Sequence, residues 1–195
     1  MKRLLSIVTA MLIFFTNSLI AQQLFTNTNM QNAYKNQTRD PSGKPGKNYW
    51  QNHADYQIDV NFDPATQLLQ GSEIIKYENN SPDTLRQIIV RLYPDLYKKG
   101  VERLSDIAEK DLGDGVQIES LRVGNENITS FSDSEKAYRA GTLLYVIPSK
   151  EVIPRSKTTF EISWQEKVNT GSPVRTGMVD STSYFSVDFF PRICV

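Results

Sequence analysis

Two stretches of strictly alternating apolar and polar residues constrain the fold more than any other feature. Tyr56, Ile58, Val60 and Phe62 alternate with Gln57, Asp59 and Asn61, and far along the chain Thr158, Phe160, Ile162 and Trp164 alternate in the same way. Successive side chains of a strand point to opposite faces, so a period of two predicts strands with one buried face. Helical spacing recurs only at Val101, Leu104, Ile107 and Ala108, which allows one short helix at most, ended by Gly113-Asp114-Gly115.

Turn chemistry divides the rest into short strands. Asp63-Pro64-Ala65-Thr66 is a turn, because proline presets φ and aspartate bonds back to its own backbone. Leu68 to Tyr77 returns as a second strand, with Gly71 expected as a bulge. Asn79-Asn80-Ser81-Pro82-Asp83 turns the chain into a third strand, Leu85 to Tyr93. Its continuous Ile88-Ile89-Val90 predicts burial on both faces. Further strands are expected at Val116 to Val123, with Gly124-Asn125 turning toward Ile128, at Leu143 to Ile147 and at Tyr184 to Val187. Ile193-Cys194-Val195 also reads as strand interior. Seven or so strands with little helix predict an all-β fold, an antiparallel β-sandwich.

The first residues read as an address. Lys2 and Arg3 precede an apolar run from Leu4 to Phe15, followed by a polar break and Ala21, so residues 1–21 are expected to be a secretory signal. The run is shorter than the roughly 20 residues a spanning helix needs, so no membrane span is expected after cleavage. Residues 22–47 are polar, rich in Asn, Gln and Thr, and predict a flexible leader; Arg39, Lys44 and Lys47 read as solvated charges. Residues 48–195 form the β-domain. The expected location is periplasmic or extracellular, an oxidising setting in which Cys194 has no second cysteine to pair with.

Chemistry is mostly excluded by count. With one histidine, His53, the chain cannot build the two-imidazole zinc motif H-E-x-x-H. His53 lacks a G-x-S-x-G partner and reads as the residue where a strand begins. The loop Gly171-Ser172-Pro173-Val174-Arg175-Thr176-Gly177 lacks the Lys-Ser/Thr ending of a phosphate loop. Lys plus Arg and Asp plus Glu each number 22, which gives no nucleic-acid footprint. Sequence spacing does not show which acids converge as a glycosidase pair. Tyr49, Trp50, Tyr56, Tyr93, Tyr97 and Trp164 are candidates for a sugar or peptide groove, although core or sheet-face positions are the commoner use of such residues. No catalytic and no metal residue is assigned, and substrate-binding residues stay unassigned.

One longer pattern adds a family resemblance. The segment Asn48-Tyr49-Trp50-Gln51-Asn52-His53-Ala54-Asp55-Tyr56 opens an order of strand, D-P turn, L-x-G strand, S-P-D turn and L-Y-P strand. It runs through Leu69-Gln70-Gly71, Ser81-Pro82-Asp83 and Leu92-Tyr93-Pro94 to Phe189-Phe190-Pro191-Arg192. This resembles the N-terminal domain of M1 zinc metallopeptidases (aminopeptidase N-like), closest to the exported bacterial branch, over about residues 48–192. The resemblance implies a saddle-shaped β-domain and a partner, the thermolysin-like catalytic domain of the same polypeptide. In the family that domain carries zinc on H-E-x-x-H with a distant Glu, a G-x-M-E-N motif and a tyrosine.

None of these motifs occurs here, so no residue inherits those roles and no cofactor is expected in this chain. Family N-domains also lend a Gln or Glu near their end to the substrate amine, and residues 177–190 hold neither. The expectation is a non-enzymatic domain, incomplete at its C-terminal end, shaping access to a peptide-binding cleft. The other reading is a free-standing exported β-sandwich that binds peptide or glycan.

Overall fold

The computed structural model describes residues 25–104, 106–131, 133–171 and 176–194, so the signal expected at 1–21 lies outside it. The chain divides after Tyr49 into two compact units.

In the first unit, the segment expected to be a flexible leader carries a helix, α1 (Thr28–Lys35). Asn27 caps it, its side chain accepting from the Met30 amide at 2.9 Å, which satisfies one of the orphan donors of the first turn. The helix buries no residue. The chain then folds back, with Gly46 N donating to Thr38 O and Asn48 N to Gln37 O, both at 3.0 Å. Composition identified the polarity of this segment but not its local hydrogen bonding.

The second unit, from Trp50, is the antiparallel β-sandwich. A five-stranded sheet has β1 (His53–Asp63), β2 (Leu68–Asn79), β4 (Gln117–Val123), β5 (Glu126–Ile128) and β8 (Ser156–Lys167) in the order β1-β2-β8-β4-β5. A four-stranded sheet has β3 (Ile88–Arg91), β6 (Ala137–Ala140), β7 (Leu143–Val146) and β11 (Arg192–Ile193) in the order β11-β3-β7-β6. A hairpin, β9 (Thr176–Asp180) with β10 (Ser183–Ser186), stands beside them. The inward faces share one core. Ile75, Tyr77, Leu121, Phe160, Ile162 and Trp164 come from the larger sheet, and Ile88, Val90, Leu144, Val146 and Ile193 from the smaller. Both stretches that alternate in sequence lie in the larger sheet, as β1 and β8.

Several expectations are corrected. The described residues between Val101 and Ala108 are not helical, and a 3-10 turn, Glu109–Asp111, follows. Leu104 is fully exposed, and a short helix without a buried face has little to hold it. Gly71 is not a bulge but sits in register between Val60 and Trp164. A Cβ there would lie 2.4 Å from Cζ2 of the indole, so the glycine serves a close approach.

The third strand is shorter than expected. Leu85 joins only a bridge to Val152, and Pro94 starts a 3-10 turn at Tyr93–Tyr97. Ile89 is half-buried rather than buried on both sides of the sheet. Two strands lacked a sequence signal: β6 turns a charged Arg139 inward, and β9 carries Gly177 on its buried side.

Candidate functional site

Two segments of the resemblance meet in one joint. Asn52 donates to the Tyr77 hydroxyl at 2.8 Å, and its oxygen accepts from the amides of Asn80 (2.9 Å) and Ser81 (3.2 Å). Asn80 returns a bond to Gln51 O at 3.0 Å. Asn79, wholly buried, donates to Asp83 O at 2.8 Å and Val152 O at 2.9 Å and accepts from the Ser81 hydroxyl at 2.6 Å. Each polar atom used here has a partner, as a buried polar knot requires. The joint fixes where β2 ends and where the chain crosses to the smaller sheet.

Four buried carboxyls are the other chemical feature of the described residues: Glu73, Asp95, Asp111 and Glu166. Asp95 Oδ1 accepts from Val116 N at 2.8 Å, and Arg139 Nη1 donates to Asp95 Oδ2 at 3.0 Å and to Val116 O at 2.8 Å. This ties the Tyr93–Tyr97 turn to β6 and to the start of β4. Burial pushes the Asp95 carboxyl up while the Arg139 charge opposes it. Asp111 accepts from Gly171 N at 2.8 Å. Glu166 is pushed up to about 8, first by burial and then by the Asp95 charge.

Glu73 faces the core from β2 with neither carboxyl oxygen hydrogen-bonded, and burial alone pushes it up to about 8. Burial thus biases both Glu73 and Glu166 toward the protonated form. Glu73 pairs with Ile162 and Glu166 with Leu69, four positions apart on adjacent strands. That is about 14 Å along the ladder. A carboxyl pair acting on one glycosidic bond spans roughly 5–9.5 Å. These two acids are not arranged for that chemistry.

The residues singled out in sequence do not converge. His53 opens β1, exposed, with Nε2 3.0 Å from Asp55 Oδ1. Trp164 and Tyr97 are buried in the second unit, whereas Tyr49 and Trp50 are exposed. Tyr56 packs edge-on to Phe190 at 5.6 Å and accepts from Ile193 N at 3.0 Å. Tyr93 lies under two arginines. Cys194 is half-buried with a free thiol. Of the Gly171–Gly177 loop, residues 172–175 lie outside the described residues.

A concavity of about 720 Å³ lies on the outward side of the five-stranded sheet, lined by Gln57, Asp59, Ser72, Ile74, Ser120 and Arg122 among others. Arg122 is bonded to Glu161 across the strands. An apolar pocket of about 230 Å³ lies beside the β9–β10 hairpin, between Val60, Phe62, Leu69, Val168, Tyr184 and Phe189. Neither holds a nucleophile paired with a base.

The described residues do not fit zinc. The one imidazole is engaged with Asp55, the unpartnered Glu73 sits among apolar neighbours, and no cluster of three His, Cys, Asp or Glu suited to a metal occurs among the described residues. No helix among them is long and apolar enough to cross a membrane.

No protein-family model matches the chain, and no curated protein matches it. Solved structures do match. One is an M1 zinc metallopeptidase mutant from Deinococcus radiodurans bound to a Tyr-Ser-Ala substrate, at 10% identity and TM-score 0.42, covering 74% of this chain and 26% of that one. A second structure of an M1 zinc metallopeptidase mutant from the same organism matches at 11% identity and TM-score 0.41, covering 69% and 25%. A two-domain M1 zinc metallopeptidase mutant bound to L-tryptophan matches at 11% and 0.40, covering 64% and 24%. The chain spans about a quarter of the length of each of these proteins.

Proposed function

We propose that this chain is the non-catalytic N-terminal β-domain of an exported M1-type zinc metallopeptidase, shaping access to a peptide cleft in a thermolysin-like domain of the same polypeptide. The observation that carries the reading is the joint at Asn52, Asn79 and Ser81. Two stretches that resemble the family separately in sequence supply both sides of one hydrogen-bonded knot. The β1–β2 hairpin brings these stretches side by side, with His53 opposite Glu78, and the side chains of Asn52 and Asn79 then lock them there. The D-P and S-P-D turns and the L-x-G strand also fall where that order of strands needs them, with β1, β2 and β3 following in sequence. In this reading zinc and the catalytic residues belong to the partner domain.

The coding sequence downstream of Val195 tests the proposal. An H-E-x-x-H followed by a distant glutamate, in frame or shifted, supports it; a long open frame without one refutes it. The full chain assayed with aminoacyl reporter substrates and added zinc should give no turnover above blank.

A second reading, a free-standing module binding peptide or glycan, is favoured by the 720 Å³ groove with its Ser72, Ser120, Gln57 and Asp59 lining. Saturable binding of an oligosaccharide or neutral peptide, lost in Ser72→Trp, would mark that reading as the better one.

A further inference from the structure

The outward face of the four-stranded sheet is built unlike that of the larger sheet. Along β3, Ile88 and Val90 point to the core, so Ile89 and Arg91 point out. The register aligns Arg192, Arg91 and Leu143 in one outward row, and Ile89, Tyr145 and Tyr138 in the next. Tyr138 and Tyr145 stack at 4.7 Å with planes 5° apart. Arg91 and Arg192 stand directly opposite each other, each 5.2 Å from the centre of the Tyr93 ring.

Like charges directly opposite on paired strands repel, so this pair calls for an anion. Asp188 answers Arg192 at 3.2 Å. Arg91 reaches the Tyr93 hydroxyl at 3.4 Å and the Cys194 side chain, and it meets no carboxylate among the described residues. Beside Tyr93 the surface dips into a hollow of about 280 Å³, walled by Pro94, Leu96, a Val187 that is 45% exposed, and the Asp188 that pairs with Arg192. The continuous Ile88-Ile89-Val90 run is the sequence pattern of a strand covered on both sides, and Ile89 is covered only in part.

We propose that the outward face of the β11-β3-β7-β6 sheet is a docking surface for an extended protein segment that alternates carboxylate with apolar side chains. The two rows lie two residues apart, about 7 Å along the strands, and same-face side chains of an extended segment have that spacing too. A segment running along β3 sets an acid on Arg91 and Arg192 and its next same-face side chain on Ile89 and Tyr145. Charge selects the occupant. A second copy bringing the same face would put four arginines together, which opposes self-pairing. This inference stands apart from the metallopeptidase reading and is tested on the chain alone.

The test is fluorescence anisotropy on the full chain at near-physiological salt, with two labelled hexapeptides, one alternating Glu with Phe and one alternating Lys with Phe. Saturable binding of the Glu peptide at least ten-fold tighter than the Lys peptide is expected. Arg91→Gln with Arg192→Gln should weaken it at least ten-fold, and Leu143→Asp, which places an acid beside the arginines, should weaken it similarly. Arg122→Gln on the other sheet should change it less than two-fold. Circular dichroism and the thermal midpoint establish that each variant folds, and Leu143→Asp carries the test if the double variant does not. No saturable binding, equal affinity for both peptides, or indifference to both variants overturns the proposal. So does concentration-dependent dimerisation abolished by Tyr145→Arg, or binding to phosphatidylserine vesicles without binding to the Glu peptide.

Discussion

The indole of Trp164 occupies the place a side chain at Gly71 would take: a Cβ built there falls 2.4 Å from Cζ2 and 2.6 Å from Cε2. Trp164 is wholly buried, and both neighbours are backbone-paired, so neither strand can step aside. Gly71→Ala should therefore destabilise the fold by about 1–3 kcal/mol. Urea unfolding measures it. In Trp164→Leu the ring is gone, and Gly71→Ala should cost much less; equal costs in both backgrounds would show that the clash is relieved elsewhere.

Glu73 makes stability depend on pH in an unusual direction. Its carboxyl is raised from 4.5 to about 8 in the folded chain, so the native state holds the proton more tightly than the unfolded one. Its contribution is fully present below about pH 4.5 and is lost as pH rises toward 8. The loss is at most about 5 kcal/mol. Glu73→Gln does not titrate, so its stability relative to the native chain should rise between pH 5 and pH 9. Denaturant unfolding at the two pH values measures this, and a difference that stays flat would place the carboxyl in water.

Asp95 and Arg139 form a buried ion pair in the sandwich, at 3.0 Å with side chains 1% and 13% exposed. Asp95→Ala leaves the guanidinium buried without its partner and should cost about 3–5 kcal/mol. Replacing both residues, Asp95→Leu with Arg139→Met, should cost less than the single change. A double variant less stable than Asp95→Ala would mean that packing, not the stranded charge, sets the cost.

Asn79 holds the joint between the sheets with bonds to Asp83 O, Val152 O and Ser81. Asn79→Ala removes the two bonds its amide donates and the two it accepts from Ser81, and should cost about 2–4 kcal/mol, whereas Asn80→Ala, which loses one exposed bond to Gln51, should cost under about 1 kcal/mol. Thermal unfolding ranks the two, and a reversed order would remove the knot from the centre of the fold.

The sandwich was legible in sequence wherever one face of a strand is apolar along its length. β1, β2 and β8 alternate because one face meets the core and the other meets water. β6 was not legible because its inward Arg139 serves Asp95, a partner far away in sequence that no local pattern reveals. Helical spacing at Val101 to Ala108 misled for the opposite reason: periodicity without a surface to pack on makes no helix. Gly71 has the same composition signal whether it relieves a bulge or admits a ring, and the deciding atom belongs to another strand. The arginine pair on Tyr93 likewise depends on register between β3 and β11, which sequence spacing does not supply. His53 was placed correctly because its neighbours alternate.

The pairing of β2 with β8 also orders the birth of the molecule. Asn79 is opposite Ser156 and Leu68 is opposite Lys167, so the central ladder of the larger sheet waits for residues made long after β2. At about 5–20 residues per second a ribosome needs roughly 4–15 s to cover that gap. Throughout it the β1–β2 hairpin has Leu69, Ile75 and Tyr77 uncovered and one whole edge of β2 unpaired, and a lone hairpin is only marginally stable in water. The nascent chain thus carries a sticky, half-made sheet, and a holding chaperone has its best target in that interval.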